Sequence, residues 1–115
     1  MFGHRQKDSL QESGSQHSDE FLLHLDRALE NFGTTVKSVV YYRFHEEQGL
    51  KRENIAENPD LFVTTIDRFF GPGSNTVKSF IEAEMRRAVA PIDLGRGNTS
   101  EILRRARDYF SGSSK

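Results

Sequence analysis

Large apolar side chains recur at three- and four-residue intervals along most of this chain, and Gly or Pro interrupts them at short intervals. That spacing is the signature of amphipathic helices rather than strands, whose apolar positions alternate. Phe21, Leu22, Leu25, Ala28, Leu29 and Phe32 lie on one stripe, predicting a first helix over about 19–32. Ser18 stands ready as its N-cap, Asp19 and Glu20 suit the positive end of the helix dipole, and Gly33 is placed for a left-handed stop. Val36, Val39, Val40 and Phe44 continue the period over about 35–48, with Tyr41 and Tyr42 on the flanks and Gly49 as the stop. The run VVYYRF also reads as a strand, because β-branched and aromatic residues favour one. Lys37, Arg43 and Glu47 alternate with the apolar stripe at helical spacing, and this favours helix.

Leu50 and Ile55 anchor a short helical turn, KRENIAE. Asn58-Pro59-Asp60 then supplies a cap, a Pro at the first helical position and an acid in the first turn. A third helix is expected over about 59–70, burying Leu61 or Phe62 together with Ile66, Phe69 and Phe70, and Gly71-Pro72-Gly73 stops it. Ser74 is expected to cap a fourth helix carrying Val77, Phe80, Ile81, Met85, Ala88 and Val89 and ending before Pro91. After the loop PIDLGRG, Asn98 followed three residues later by Glu101 forms a capping-box pattern. It opens a fifth helix over about 99–110, with Ile102, Leu103, Ala106 and Phe110 inside and Arg104, Arg105 and Arg107 outside. The fold class is therefore all-α: a compact bundle of about five helices, with one domain over 19–110.

Residues 1–18 are Gln, Ser, Gly and charge with only three large apolar side chains. They bury too little to offset ordering entropy and read as a disordered polar leader, and 111–115 as a flexible tail. With no Cys there is neither a disulfide framework nor a thiolate metal site, which suits a reducing, cytoplasmic setting. No apolar run nears the roughly 18 residues that span a bilayer, so no membrane partner is expected. The net charge of −1 conceals a division: from Arg86 onward seven basic residues face three acidic ones, whereas the preceding part has nine against fourteen. Such asymmetry marks an arm for an acidic partner, a nucleic acid or another copy, or else a solvated helix face.

Specific motifs mostly fail on inspection. The stretch 49–75 has the outline of a helix-turn-helix, but the outer face of its second helix offers Val63, Thr64, Asp67 and Arg68, with Asp60 at the entrance. Two acids against phosphates and a single Arg make a poor reading helix. The GPGS loop lacks the Lys and the preceding strand of a phosphate cradle. His45 begins FHEEQG, not the two-His helical zinc motif, and His24 sits beside an apolar stripe. Glu46-Glu47 and Glu82/Glu84 are spaced one and two apart, which does not bring helical side chains face to face. No catalytic constellation, metal set or cofactor motif emerges, and none is expected.

The central block from about Leu22 to Met85 resembles a small helical family typical of archaea, the Nitrosopumilus output domains. The match runs through an aromatic-rich helix (Tyr41, Tyr42), Gly49-Leu50, Ile55 before Pro59, Phe62, then Phe70, Gly71 and Gly73, and Ile81. Ser74-Asn75 departs from the small apolar residue expected after the glycine pair. The resemblance implies an all-helical module, stand-alone or fused to signalling proteins, with no catalytic residues.

Arg86, Arg87, Arg104, Arg105 and Arg107 form the leading candidate contact surface, since Arg suits bidentate binding of carboxylate or phosphate. The expected function is a non-enzymatic regulatory or signalling-output interaction module, self-associating or protein-binding near helices four and five. Sequence-nonspecific nucleic-acid binding through the same arginines is the alternative.

Overall fold

A computed structural model of the chain describes residues 19–112, so the expected leader and residues 113–115 of the tail lie outside the described part. Five α-helices follow one another: α1 (19–30), α2 (Thr34–Gln48), α3 (Pro59–Phe70), α4 (Ser74–Val89) and α5 (Thr99–Ser111). Short 3-10 turns at Arg52–Glu57 and Gly71–Gly73 flank α3. No strand occurs among the described residues, so VVYYRF is helical, as its polar spacing indicated.

The stripes converge on one core. Phe21, Leu25 and Leu29 of α1, Phe44 of α2, Phe62 and Ile66 of α3, Ile81 and Met85 of α4, and Ile102 and Leu103 of α5 are fully enclosed. Ile55 of the first 3-10 turn joins them. The open choice at the start of α3 is settled: Phe62 is buried edge-to-face against Phe44 with ring centroids 5.5 Å apart, and Leu61 faces outward. Close packing of this kind makes truncation of Phe62 cost about 3–5 kcal/mol.

Several local details differ from expectation. The regular part of α1 ends at residue 30, two short of the prediction. Asn31 Nδ2 donates to the carbonyls of Arg27 (3.2 Å) and Ala28 (3.1 Å), and the Phe32 and Gly33 amides reach back only three residues, to Leu29 and Glu30. Gly33 has φ 109° and ψ 147°, a conformation open to glycine but outside the left-handed helical cap expected there. Asn58 does not cap α3 with its side chain, which donates instead to the Asn54 carbonyl (2.9 Å). Ser74 is not an N-cap either. The 3-10 turn Gly71–Gly73 runs directly into α4, so Ser74 is already helical, and its buried hydroxyl bonds Asp67. Phe80, expected inside, is 42% exposed. The capping box of α5 forms as read: the Glu101 amide donates to Asn98 Oδ1 and the Asn98 amide to Glu101 Oε1, both at 2.9 Å. Ser111, assigned to the tail, is the last residue of α5.

A polar tie locks α1 and α2 to the first 3-10 turn. Arg52 grips the Asp26 carboxylate with two nitrogens (3.0 and 2.7 Å), and the Tyr41 hydroxyl donates to the same carboxylate at 2.5 Å. Burial alone would raise the Asp26 carboxyl, but these hydrogen bonds and the Arg52 charge hold it below its ordinary value. Burial, then the neighbouring carboxylate, pushes the Tyr41 phenol well up.

Candidate functional site

The five candidate arginines all meet partners within the chain. Arg86 Nη2 donates to the Gly95 carbonyl (2.9 Å), and Arg105 Nη1 to those of Leu94 (2.9 Å) and Arg96 (2.6 Å). The two guanidiniums thereby pin the α4–α5 loop from opposite helices. Arg107 donates to the Ala56 carbonyl (2.9 Å), tying α5 to the first 3-10 turn, and Arg104 pairs with Asp60 at the start of α3 (2.7 Å). Arg87 bonds Glu84 of its own helix, yet its side chain stays 70% exposed. The structure therefore does not gather the five into one outward patch. The outer face of α3 is engaged likewise: Asp60 meets Arg104, and Asp67 pairs with Lys78 at 2.8 Å. The hydrogen bond from Lys78, aided by Ser74, holds the Asp67 carboxyl low.

Glu84 sits on the buried stripe of α4, 6% exposed, and accepts from His24 Nδ1 of α1 at 2.8 Å. Burial would raise its pKa, but the bonds from His24 and Arg87 outweigh that and lower it. The His24 ring stacks on Phe110 of α5 with centroids 5.4 Å apart. The carboxylate thus joins α4 to α1, and α5 packs on the histidine that bonds it. Sequence reading passed over this group, although a signal existed. Glu84 follows Ile81 by three and precedes Ala88 by four, so it falls on the apolar face, where a carboxylate requires a partner. Which partner it finds, sixty positions away, no local pattern reveals.

Four phenylalanines form a continuous, partly exposed face. Phe32 at the end of α1 lies 5.0 Å from Phe80 of α4 and 6.4 Å from Phe70 of α3, and Phe70 meets Phe69 at 4.8 Å. The Arg43 guanidinium stands 6.0 Å over Phe69. Beside Phe80 a cleft of about 380 Å³ opens, lined by Asn31, Ser79, Phe80, Ala83 and Arg87. The His24–Glu84 and Phe32–Phe80 contacts come in reversed order along the two helices, so α1 and α4 run in opposite directions and the cleft is the furrow between them. Arg27, exposed and without a side-chain partner among the described residues, lies one turn before Asn31 on α1.

Two other concavities lie on the described surface. The larger, about 480 Å³, is polar and lies between α3, α4 and the start of α5, with Asp67, Lys78, Glu82 and Thr99 in its lining. Its carboxylates are occupied: Asp67 by Lys78, and Glu82 by the Thr99 hydroxyl at 2.6 Å. Glu82 and Glu101 fill the α5 N-terminus, where an external anion would otherwise bind. The other, about 350 Å³, is more apolar and is lined by Ile92, Asp93, Leu94, Arg105, Asp108 and Tyr109. Among the described residues no group of three or more His, Asp or Glu is placed to hold a metal ion, and no helix is long and apolar enough to cross a membrane.

The fold and these surfaces define an all-α helical-bundle domain. Compared with protein-family models, with curated proteins and with solved structures, the chain matches none.

Proposed function

We propose that this domain is a non-enzymatic protein-interaction module, of regulatory or signalling-output kind, working through the phenylalanine face of α1, α3 and α4. The carrying observation is the Phe32–Phe80 ring pair at 5.0 Å, with Phe80 42% exposed at the mouth of the α1–α4 furrow. Exposed aromatic clusters bordered by Arg are the composition of binding hot spots, and a furrow between antiparallel helices accepts a third helix. Arg87 in the furrow's lining, 70% exposed beside its Glu84 bond, and Arg27 one turn before Asn31 favour an amphipathic partner helix with an aliphatic or aromatic anchor flanked by Asp or Glu.

The resemblance of the block around Tyr41, Gly49, Pro59 and Gly71 to helical output domains supports the same class. A cysteine-free chain suits the cytoplasm. The nucleic-acid alternative loses support, because Arg86, Arg104, Arg105 and Arg107 are committed to the chain's own carbonyls and to Asp60. Catalysis finds little support in a polar cleft whose two carboxylates are already bonded.

The test is selection of binders from a displayed library of amphipathic helical peptides. Peptides with an apolar anchor and acidic flanks are expected, losing at least about tenfold in affinity, roughly 1.4 kcal/mol, against Phe80→Glu. Peptides indifferent to that change would overturn the assignment. So would duplex DNA binding that collapses between about 50 and 200 mM salt.

A further inference from the structure

The groove along α5 and the α4–α5 loop shares no lining residue with the phenylalanine furrow and carries a separate inference. Its apolar surface is Leu94, 6% exposed, with Ile92 and Tyr109, 52% and 40% exposed. The loop that presents Ile92 and Leu94 is braced. Arg105 holds the carbonyls of Leu94 and Arg96, Arg86 holds that of Gly95, and Asp93 accepts from the Gly95 amide at 2.8 Å. An apolar surface already fixed in shape binds without the entropy cost of ordering a loop.

The charged side chains of the lining are Asp93, Asp108 and Arg105. Asp108 lies 3.0 Å from Arg107 of its own helix, so its charge is met within the chain. The other two are not met. Arg105 spends Nη1 on neutral carbonyls, and no carboxylate among the described residues lies within ion-pair distance of its guanidinium. Asp93 bonds a backbone amide, and no cation among the described residues is within ion-pair distance of it. Both are exposed, and they do not pair with each other although they line one groove. Reaching Asp93 would cost the Arg105 guanidinium its bonds to the loop. The groove therefore sets an apolar strip beside one unmet charge of each sign. A purely acidic or purely basic partner would place like charge against one of them. A second copy supplies both signs, because in a twofold contact residue i meets j and j meets i.

We propose that this groove is a self-association face. Two copies pack Ile92, Leu94 and Tyr109 against one another, and Arg105 of each pairs with Asp93 of the other. Tyr and Arg are the side chains that dominate the centres of such contacts. The face is small, so the dimer belongs to the weak, transient class and forms at about 0.1–1 mM. The phenylalanine furrow contributes no residue to this contact, so the two assignments stand or fall separately.

Sedimentation of the full-length protein, with amide spectra at about 0.05 and about 1 mM, tests this. A monomer–dimer equilibrium is expected, with concentration-dependent shifts at Ile92, Leu94, Arg105 and Tyr109 and none at Phe80. Asp93→Asn removes the charge but keeps the acceptor for the Gly95 amide, so the fold is retained and the dimer should weaken at least about threefold. Tyr109→Glu should weaken it at least about tenfold, and Phe80→Glu should leave it unchanged. Raising salt from about 50 to about 500 mM should weaken the wild-type dimer more than that of Asp93→Asn. A chain still monomeric at about 1 mM would overturn the proposal. So would a dimer indifferent to Asp93→Asn. A dimer whose shifts centre on Phe80 and that Phe80→Glu dissolves would overturn it in favour of the other face.

Discussion

Arg105 Nη1 lies 2.9 Å from the carbonyl oxygen of Leu94, so a residue that reads as a surface cation in sequence is a strut for the α4–α5 loop. Its second acceptor, the Arg96 carbonyl at 2.6 Å, fixes the loop at two points from one nitrogen. Arg105→Gln should retain the helices, lower stability by about 1–2 kcal/mol and free the loop. Faster amide exchange at residues 94–97, with unchanged exchange in α2, would establish this. Uniform exchange across the chain would show that the strut carries nothing.

Gly97 adopts φ 150° directly beneath the capping box. A Cβ there would collide with Glu101 Oε1 and approach Arg105 Nη1 to 3.3 Å. Gly97→Ala should therefore cost about 1–3 kcal/mol, through backbone strain and a displaced cap together. Asn98→Ala, which removes only the cap acceptor, should cost about 1 kcal/mol. Chemical denaturation ranks the two, and an alanine at 97 that proves neutral would refute the geometry.

Acid should unlock the α1–α4–α5 junction. The folded-state pKa of Glu84 lies below its ordinary 4.5, so its contribution to stability is full above that value and is lost as pH falls through the lowered one. Asp26 and Asp67, lowered from 3.8, add losses of the same sign further down. The melting temperature should thus be level just above pH 5 and fall below about 4.5, less steeply in Glu84→Gln. A variant with an unaltered acid limb would remove Glu84 from the account.

Tyr41→Phe deletes a single hydroxyl that donates at 2.5 Å to Asp26. A loss of about 1–2 kcal/mol is expected, as for a hydrogen bond to a charged acceptor. Arg52→Gln should cost more, because it strips two donors from the same carboxylate. Thermal melts of the two variants and of the double variant measure the coupling, and strict additivity would deny that the three groups act together.

Much of this molecule was already legible one-dimensionally. The apolar period, Pro59 at a helix start and the Asn98–Glu101 pair specified five helices and most of their buried residues, because helix periodicity and capping are short-range physics. The misreadings came where tertiary contacts compete with local preference. Ser74 and Asn58 have the side chains of caps but spend them on Asp67 and on the Asn54 carbonyl. Phe80 belongs to the apolar pattern of α4, yet whether it is covered depends on how closely α1 approaches. The arginines show the difference most plainly. Composition establishes that their charges are there, while the packing of α5 against the loop and the first 3-10 turn decides that most of them face carbonyls. Periodicity determines which face of each helix leaves water. Only the three-dimensional assembly determines which distant groups, such as His24 and Glu84, come within hydrogen-bonding reach, because such a bond depends on the relative placement of two helices rather than on either one alone.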